Sequence, residues 1–244
     1  MIRPFASFLI VLLLACPAMA LDSLDQVRQA YQANTPKRVI ELLKSHVDTP
    51  EELSKTELVD ARHLLGRALL DTGEAAQAAL VLSRALQEDA ESDLTSLDDH
   101  LSFHLATAMF QLNRFEEALP LFRKVTRDPY SPYQVQAAFH EAMSQVGRGK
   151  KKLARKALVS FLATYPGAPR MHDARAALAK LEVDRKRVAR AIELFRQVIR
   201  ESPQSEAANT SQLALDDLAQ AGHKEALRPS PKEIRKSAEW LVRE

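Results

Sequence analysis

His100 and His104 stand four residues apart, the spacing that puts two imidazoles on one face of a helix where they could share a metal ion. No third ligand follows at a useful spacing, and Asp98 and Asp99 ahead of them are explained as first-turn carboxylates favoured by the helix dipole. No metal and no cofactor is therefore expected. Arg148-Gly149-Lys150-Lys151-Lys152 is a compact basic run able to contact phosphate groups of lipid, polysaccharide or nucleic acid, but it falls where a turn between helices is due and also reads as a solvated loop. Glu116-Glu117 and Asp216-Asp217 are adjacent pairs, which a helix turns about 100° apart, so neither can act as acid and base on one substrate. The sequence holds no phosphate loop, dinucleotide fingerprint, nucleophile elbow or His-Glu-x-x-His, and it assigns no catalytic residue. The chain is expected not to be an enzyme.

Residues 1–20 carry Arg3, an apolar run from Phe8 to Ala15 and the small-x-small site Ala18-Met19-Ala20, the features of a secretory signal. The run is shorter than the roughly 20 apolar residues a membrane span needs, and no second stretch could serve. No transmembrane span is expected in the mature chain. Cys16, the only cysteine, follows Leu13-Leu14-Ala15, which resembles a bacterial lipobox. Two fates stand: removal with the signal, giving a periplasmic protein, or lipidation at Cys16, giving an outer-membrane lipoprotein. Under either, no disulfide forms within the mature chain, and burial alone must hold it.

Composition points to helices: 46% apolar and 27% charged residues, 6 glycines and few aromatics. The net charge of +2 hides an asymmetry. Residues 21–130 hold 12 Lys and Arg against 19 Asp and Glu, whereas residues 131–244 hold 21 against 13. Such halves suit different partners or head-to-tail association, and equally suit plain solvated helix faces.

A repeat orders the chain. Ala78 with Leu82, Ala118 with Phe122, Ala154 with Leu158 and Ala191 with Phe195 recur at intervals of 40, 36 and 37 residues, while Pro129, Pro166 and Pro203 are 37 apart. A small Ala lets two antiparallel helices approach, the large residue one turn later fills the gap, and Pro ends the second helix. Thr49-Pro50-Glu51-Glu52, Ser131-Pro132-Tyr133-Gln134 and Ser230-Pro231-Lys232-Glu233 predict helix starts with a hydroxyl cap.

Within the units, Leu65-Gly66-x-x-Leu69, Gly73, Ala78, Leu82 and Ala85, then Leu105-Ala106-x-x-Met109, Asn113, Ala118, Phe122 and Pro129, resemble the tetratricopeptide repeat. The resemblance runs from Val59 to Leu218. It departs where the family carries an aromatic early in the first helix: Arg62, Ser102, Ala138 and Arg175 stand there. It implies an all-α fold, a right-handed α-solenoid of antiparallel helix pairs. The expected organisation is a signal peptide (1–20), an N-terminal helical cap or degenerate repeat (21–58), a solenoid of about four repeats plus the capping helix 206–220 (59–220), then a linker and C-terminal helix (221–244). Trp240 in that last helix either docks as a cap or projects as a docking segment.

Beside the packed seam lies a stripe spaced i, i+4, i+7: His63, Arg67 and Leu70 in one unit, and Phe103, Thr107 and Phe110 in the next. His63, Arg67, Phe103, Thr107 and Phe110 are the candidate partner-binding residues, because aromatics on an inner face anchor partners. Phe103 and Phe110 serve equally well as core. The resemblance, with the export signal, extends to bacterial envelope scaffolds such as the Tol-Pal coordinator and the helical lipoprotein of outer-membrane barrel assembly. It implies a scaffold holding a protein or peptide in its groove, with no nucleic acid as partner. Phe161-Leu162-Ala163-Thr164-Tyr165-Pro166 is also similar to the helical part of soluble lytic transglycosylases, which makes a non-catalytic peptidoglycan binder the alternative.

Overall fold

A computed structural model describes residues 26–27, 29–48, 53–92 and 97–227, which contain helices and turns but no strand. The signal segment, Cys16, the caps at Thr49 and Ser230 and the helix bearing Trp240 lie outside the described residues. The chain packs as two compact units, Met1–Asp98 and Asp99–Glu244. The first holds a helical stretch at 29–32, then α1 (Pro36–Asp48), α2 (Lys55–Asp71) and α3 (Ala75–Ser92). The second holds α4 (Asp98–Gln111), α5 (Phe115–Arg127), α6 (Gln134–Gly147), α7 (Lys151–Thr164), α8 (Met171–Asp184), α9 (Val188–Glu201) and α10 (Glu206–Gln220), closed by a 3-10 turn at Lys224–Leu227.

One turn is used over and over. The Gly73 N–H donates to the Leu70 carbonyl (3.1 Å) and the Glu74 N–H reaches back to Leu69 (2.8 Å), the paired bonds that satisfy the last carbonyls of a helix. The same two bonds form around Asn34, Asn113, Gly149, Lys186 and Gly222, and all six residues have positive φ. Gly73, Asn113 and Gly149 suit that backbone; Lys186 takes it against its own preference.

Counting from each turn explains the core. Five residues on stand Val39, Ala78, Ala118, Ala154 and Ala191, and nine on stand Leu43, Leu82, Phe122, Leu158 and Phe195, every one with 0% exposure. Seven residues before the turn the first helix is small or closely packed, and at Gly66 a Cβ would sit 2.4 Å from Leu82 Cγ. Only glycine fits that contact. The pair ending in α1 follows the same register as the four read from the sequence. Helices α5, α7 and α9 end at Arg127, Thr164 and Glu201, each two residues before its proline. Where the family's aromatic is missing, Arg62 pairs with Glu88, and Arg175 Nη1 lies 2.5 Å from Glu201, tying each first helix to the end of its second.

The starts of α2 and α6 are made in different ways. Ser54 and Glu57 form the capping box of α2, the Ser54 N–H donating to Glu57 Oε2 at 2.9 Å. Ser131 is not the cap of α6, which starts at Gln134 with Tyr133 at its cap position: the Ser131 hydroxyl oxygen accepts from the Tyr133 N–H (3.3 Å), short of the helix, and its proton goes to the Asp99 carboxylate at 2.5 Å. Gln134 correspondingly donates to the Thr126 carbonyl (3.3 Å) and not back to the cap.

Candidate functional site

The stripe predicted on the first helices occupies positions ten, six and three before each turn. In the first unit His63 is buried at 8% exposure, and Arg67 lies half-buried with its guanidinium 4.8 Å over the Tyr31 ring. Around that contact Tyr31, Asn34, Arg67 and Asp71 line a cavity of about 120 Å³. Burial pushes the Tyr31 phenol up, with Arg67 opposing.

In the second unit the first such slot is filled by the protein itself. Phe103 stacks on Tyr133 (4.4 Å, 10°), and Phe110 meets His140 (5.1 Å) and Phe115 (5.3 Å) edge-on. The Thr107 hydroxyl donates to the Phe103 carbonyl at 2.8 Å. Both phenylalanines are half-buried. His140 lies parallel to Phe122 at 5.3 Å; burial, helped by Arg170, lowers its pKa to about 4 and keeps it neutral. His100 and His104 are drawn to different neighbours: His100 Nδ1 lies 2.6 Å from Asp99 Oδ1, while His104 is buried beside Phe103 and Tyr133. Burial alone would raise the Asp99 carboxyl, but Ser131 and His100 outweigh it and hold it low.

The next slot is open. Phe139, Met143 and Val146 on α6, with Ala176, Ala177 and Lys180 on α8, line a cavity of about 510 Å³. Phe139, Met143 and Val146 are Phe103, Thr107 and Phe110 moved on by 36 residues, and Ala176 and Lys180 follow 37 later. The sequence holds that register, but the space in this slot depends on the facing helix. Nine residues before the turn, α6 places His140 against Phe110, whereas α8 places Ala177 facing the smaller Val146. Arg170 lies 4.7 Å over Phe139, where Tyr133 covers Phe103 in the slot before. Arg170 pairs with Asp173 (2.8 Å) and Lys151 with Asp184 (2.9 Å) at the rim, while Lys180 has no ion pair among the described residues.

The adjacent carboxylates serve separate arginines: Glu117 pairs with Arg114 at 2.5 Å and Glu116 with Arg148 at 2.7 Å. No helix among the described residues is long and apolar enough to cross a membrane.

A series of antiparallel helix pairs with one turn geometry, one small-large seam and a grooved stripe defines an α-solenoid repeat protein. The family model "Tetratricopeptide repeat" matches residues 63–132 and 139–206, more than half of the chain, which therefore belongs to the tetratricopeptide repeat family. No curated protein matches the sequence. Among solved structures it is similar to MamA of Desulfovibrio magneticus RS-1, with 15% identity, TM-score 0.61 and coverage of 77% of this chain and 97% of that one. It is equally similar to YrrB, described as a TPR protein with an unusual peptide-binding site, at 15% identity, TM-score 0.61 and 81% and 97% coverage. A Podosopora anserina chain of nearly identical TPR-like repeats gives 19%, 0.60, 78% and 98%.

Proposed function

We propose that this protein is an exported adaptor of the bacterial cell envelope, held in the periplasm, which binds a segment of a partner protein in the groove of its second unit. The observation that carries the reading is the open slot between α6 and α8, a mainly apolar trough of about 510 Å³ with Lys180 at its side, which has no ion pair among the described residues. A trough of this kind takes an apolar side chain or a helix face from its partner, and Lys180 and Glu206 in its lining can each meet an opposite charge on that segment. YrrB, of the same fold, is itself described by a peptide-binding site.

Export rests on the features of residues 1–20, and the alternative anchorage rests on Cys16. Replacing Cys16 with Ala is expected to leave the protein soluble in the periplasm, as the wild type is; release of a membrane-bound wild type by this change would make it a lipoprotein.

The groove is tested by crosslinking pull-down from envelope extracts, comparing wild type with Ala177→Phe, which fills the trough without removing a contact. Loss of a defined protein partner from an equally stable variant supports the adaptor. Unchanged capture by Ala177→Phe, or pelleting with peptidoglycan alone, would contradict it and favour a wall-binding role.

A further inference from the structure

Helix starts prefer acids, because the first turn exposes unpaired N–H groups at the positive end of the helix dipole. Four helices of the second unit begin on a cation, and two of them respect this rule by compensation. Arg114 ahead of α5 is answered by Glu116 and Glu117, and Arg170 ahead of α8 by Asp173. The other two do not. The caps of α7 and α9 are Lys150 and Arg187, neither side chain bonds the helix end, and neither first turn holds a carboxylate. Lys152 and Arg190 add further positive charge to those first turns. The two uncompensated cationic starts stand at equivalent positions 37 residues apart.

The two basic turns lie side by side. Lys151 of one pairs with Asp184 at the end of α8 (2.9 Å), and Arg155 Nε reaches the buried Glu182 at 2.6 Å, with Arg185 (3.9 Å) and Arg187 (4.0 Å) on the same carboxylate. Those pairs neutralise only part of the charge. Residues 148–190 hold 13 Lys and Arg against 3 Asp and Glu. Lys150, Lys152, Lys186 and Arg190 are exposed and have no ion pair among the described residues.

We propose that this edge, formed by the turns before α7 and α9, is a docking surface for an anionic phospholipid membrane. The proposal is independent of what fills the groove. The free cations are mostly lysines on mobile stems, spread along an edge and not converging on a pocket, which suits the diffuse charge of many headgroups better than one bound anion. Leu153, 50% exposed in the first turn of α7, offers a short apolar contact among them.

Co-flotation of the mature protein with vesicles tests this, using pure phosphatidylcholine against phosphatidylcholine with 30% phosphatidylglycerol at roughly 0.1 M salt, where surface charges act over about 10 Å. Binding is expected only to the anionic vesicles and to fall steeply as salt rises. The triple variant Lys150→Glu/Lys152→Glu/Lys186→Glu is expected to bind at least tenfold more weakly while melting no lower than wild type, since acids replace cations at a helix start. A control with the same charge change in the first unit, Lys37→Glu/Lys44→Glu/Lys55→Glu, is expected to keep most of the binding. Equal loss in both triples would reduce the effect to net charge and overturn the proposal. So would absence of binding by wild type, or tighter binding to soluble polyglutamate than to vesicles, which would make the edge a site for an acidic chain.

Discussion

Two slots of the second unit share one register and differ in what fills them. Between α4 and α6 the protein closes its own stripe: Tyr133 lies on Phe103, and His140 lies against Phe110 and over Phe122. Between α6 and α8 the same positions carry Arg170, Ala177 and Val146, and a trough of about 510 Å³ remains. The helix pairs are built alike in both, with the same turn and the same buried seam. A repeat scaffold thus sets where a site can exist, and single residues on the facing helix decide whether it does.

The sharpest way to break the contrast is to truncate equivalent positions of the two slots. Phe110→Ala, which removes the contacts to His140 and Phe115, is expected to cost about 2 kcal/mol in urea unfolding, whereas Val146→Ala in the open slot should cost about 1 kcal/mol or less. Comparable losses would mean the two slots are packed alike.

The second test uses pH. His140 has a pKa near 4 in the folded protein against 6.5 when exposed, so below pH 6.5 the unfolded chain takes up the proton and folding loses stability until about pH 4. Between pH 7 and pH 5 this amounts to about 2 kcal/mol. His140→Phe should flatten that part of the pH profile, and an unchanged slope would place the titration elsewhere.

The smallest effect lies in the turns. Lys186→Gly is expected to stabilise by about 1 kcal/mol, because it relieves a positive φ that a side chain resists, while Gly149→Ala at the equivalent turn should destabilise by a similar amount. Equal melting temperatures for both variants and wild type would argue against the shared turn.

Much of this architecture was visible in the sequence because it repeats locally. The Ala and Leu or Phe anchors, the three prolines and the turn residues Gly73, Asn113 and Gly149 each act within one helix pair, and α10 spans 206–220 as the sequence suggests. Lys186 escaped notice because lysine carries no turn signature; only its interval from Gly149 could have marked it. The bond from the Ser131 hydroxyl to Asp99 is not legible in a local motif, because the two stand 32 residues apart. The register of Phe103, Thr107 and Phe110 follows from local spacing, but that Phe103 and Phe110 pack on Tyr133 and His140 depends on the following helix pair. The open slot could have been found by carrying that register forward to Phe139, Met143 and Ala176 and comparing residue sizes on the facing helix.

The central claim, that the open slot and not the closed one receives the partner, is tested most directly by placing a photo-crosslinking residue at Met143 in one variant and at Thr107 in another. The two positions are equivalent within the repeat, 36 residues apart. Crosslinks to one envelope protein from position 143, absent from position 107 and lost in the Ala177→Phe background, are the expected result. Crosslinks from position 107 alone, or equally from both, would contradict it.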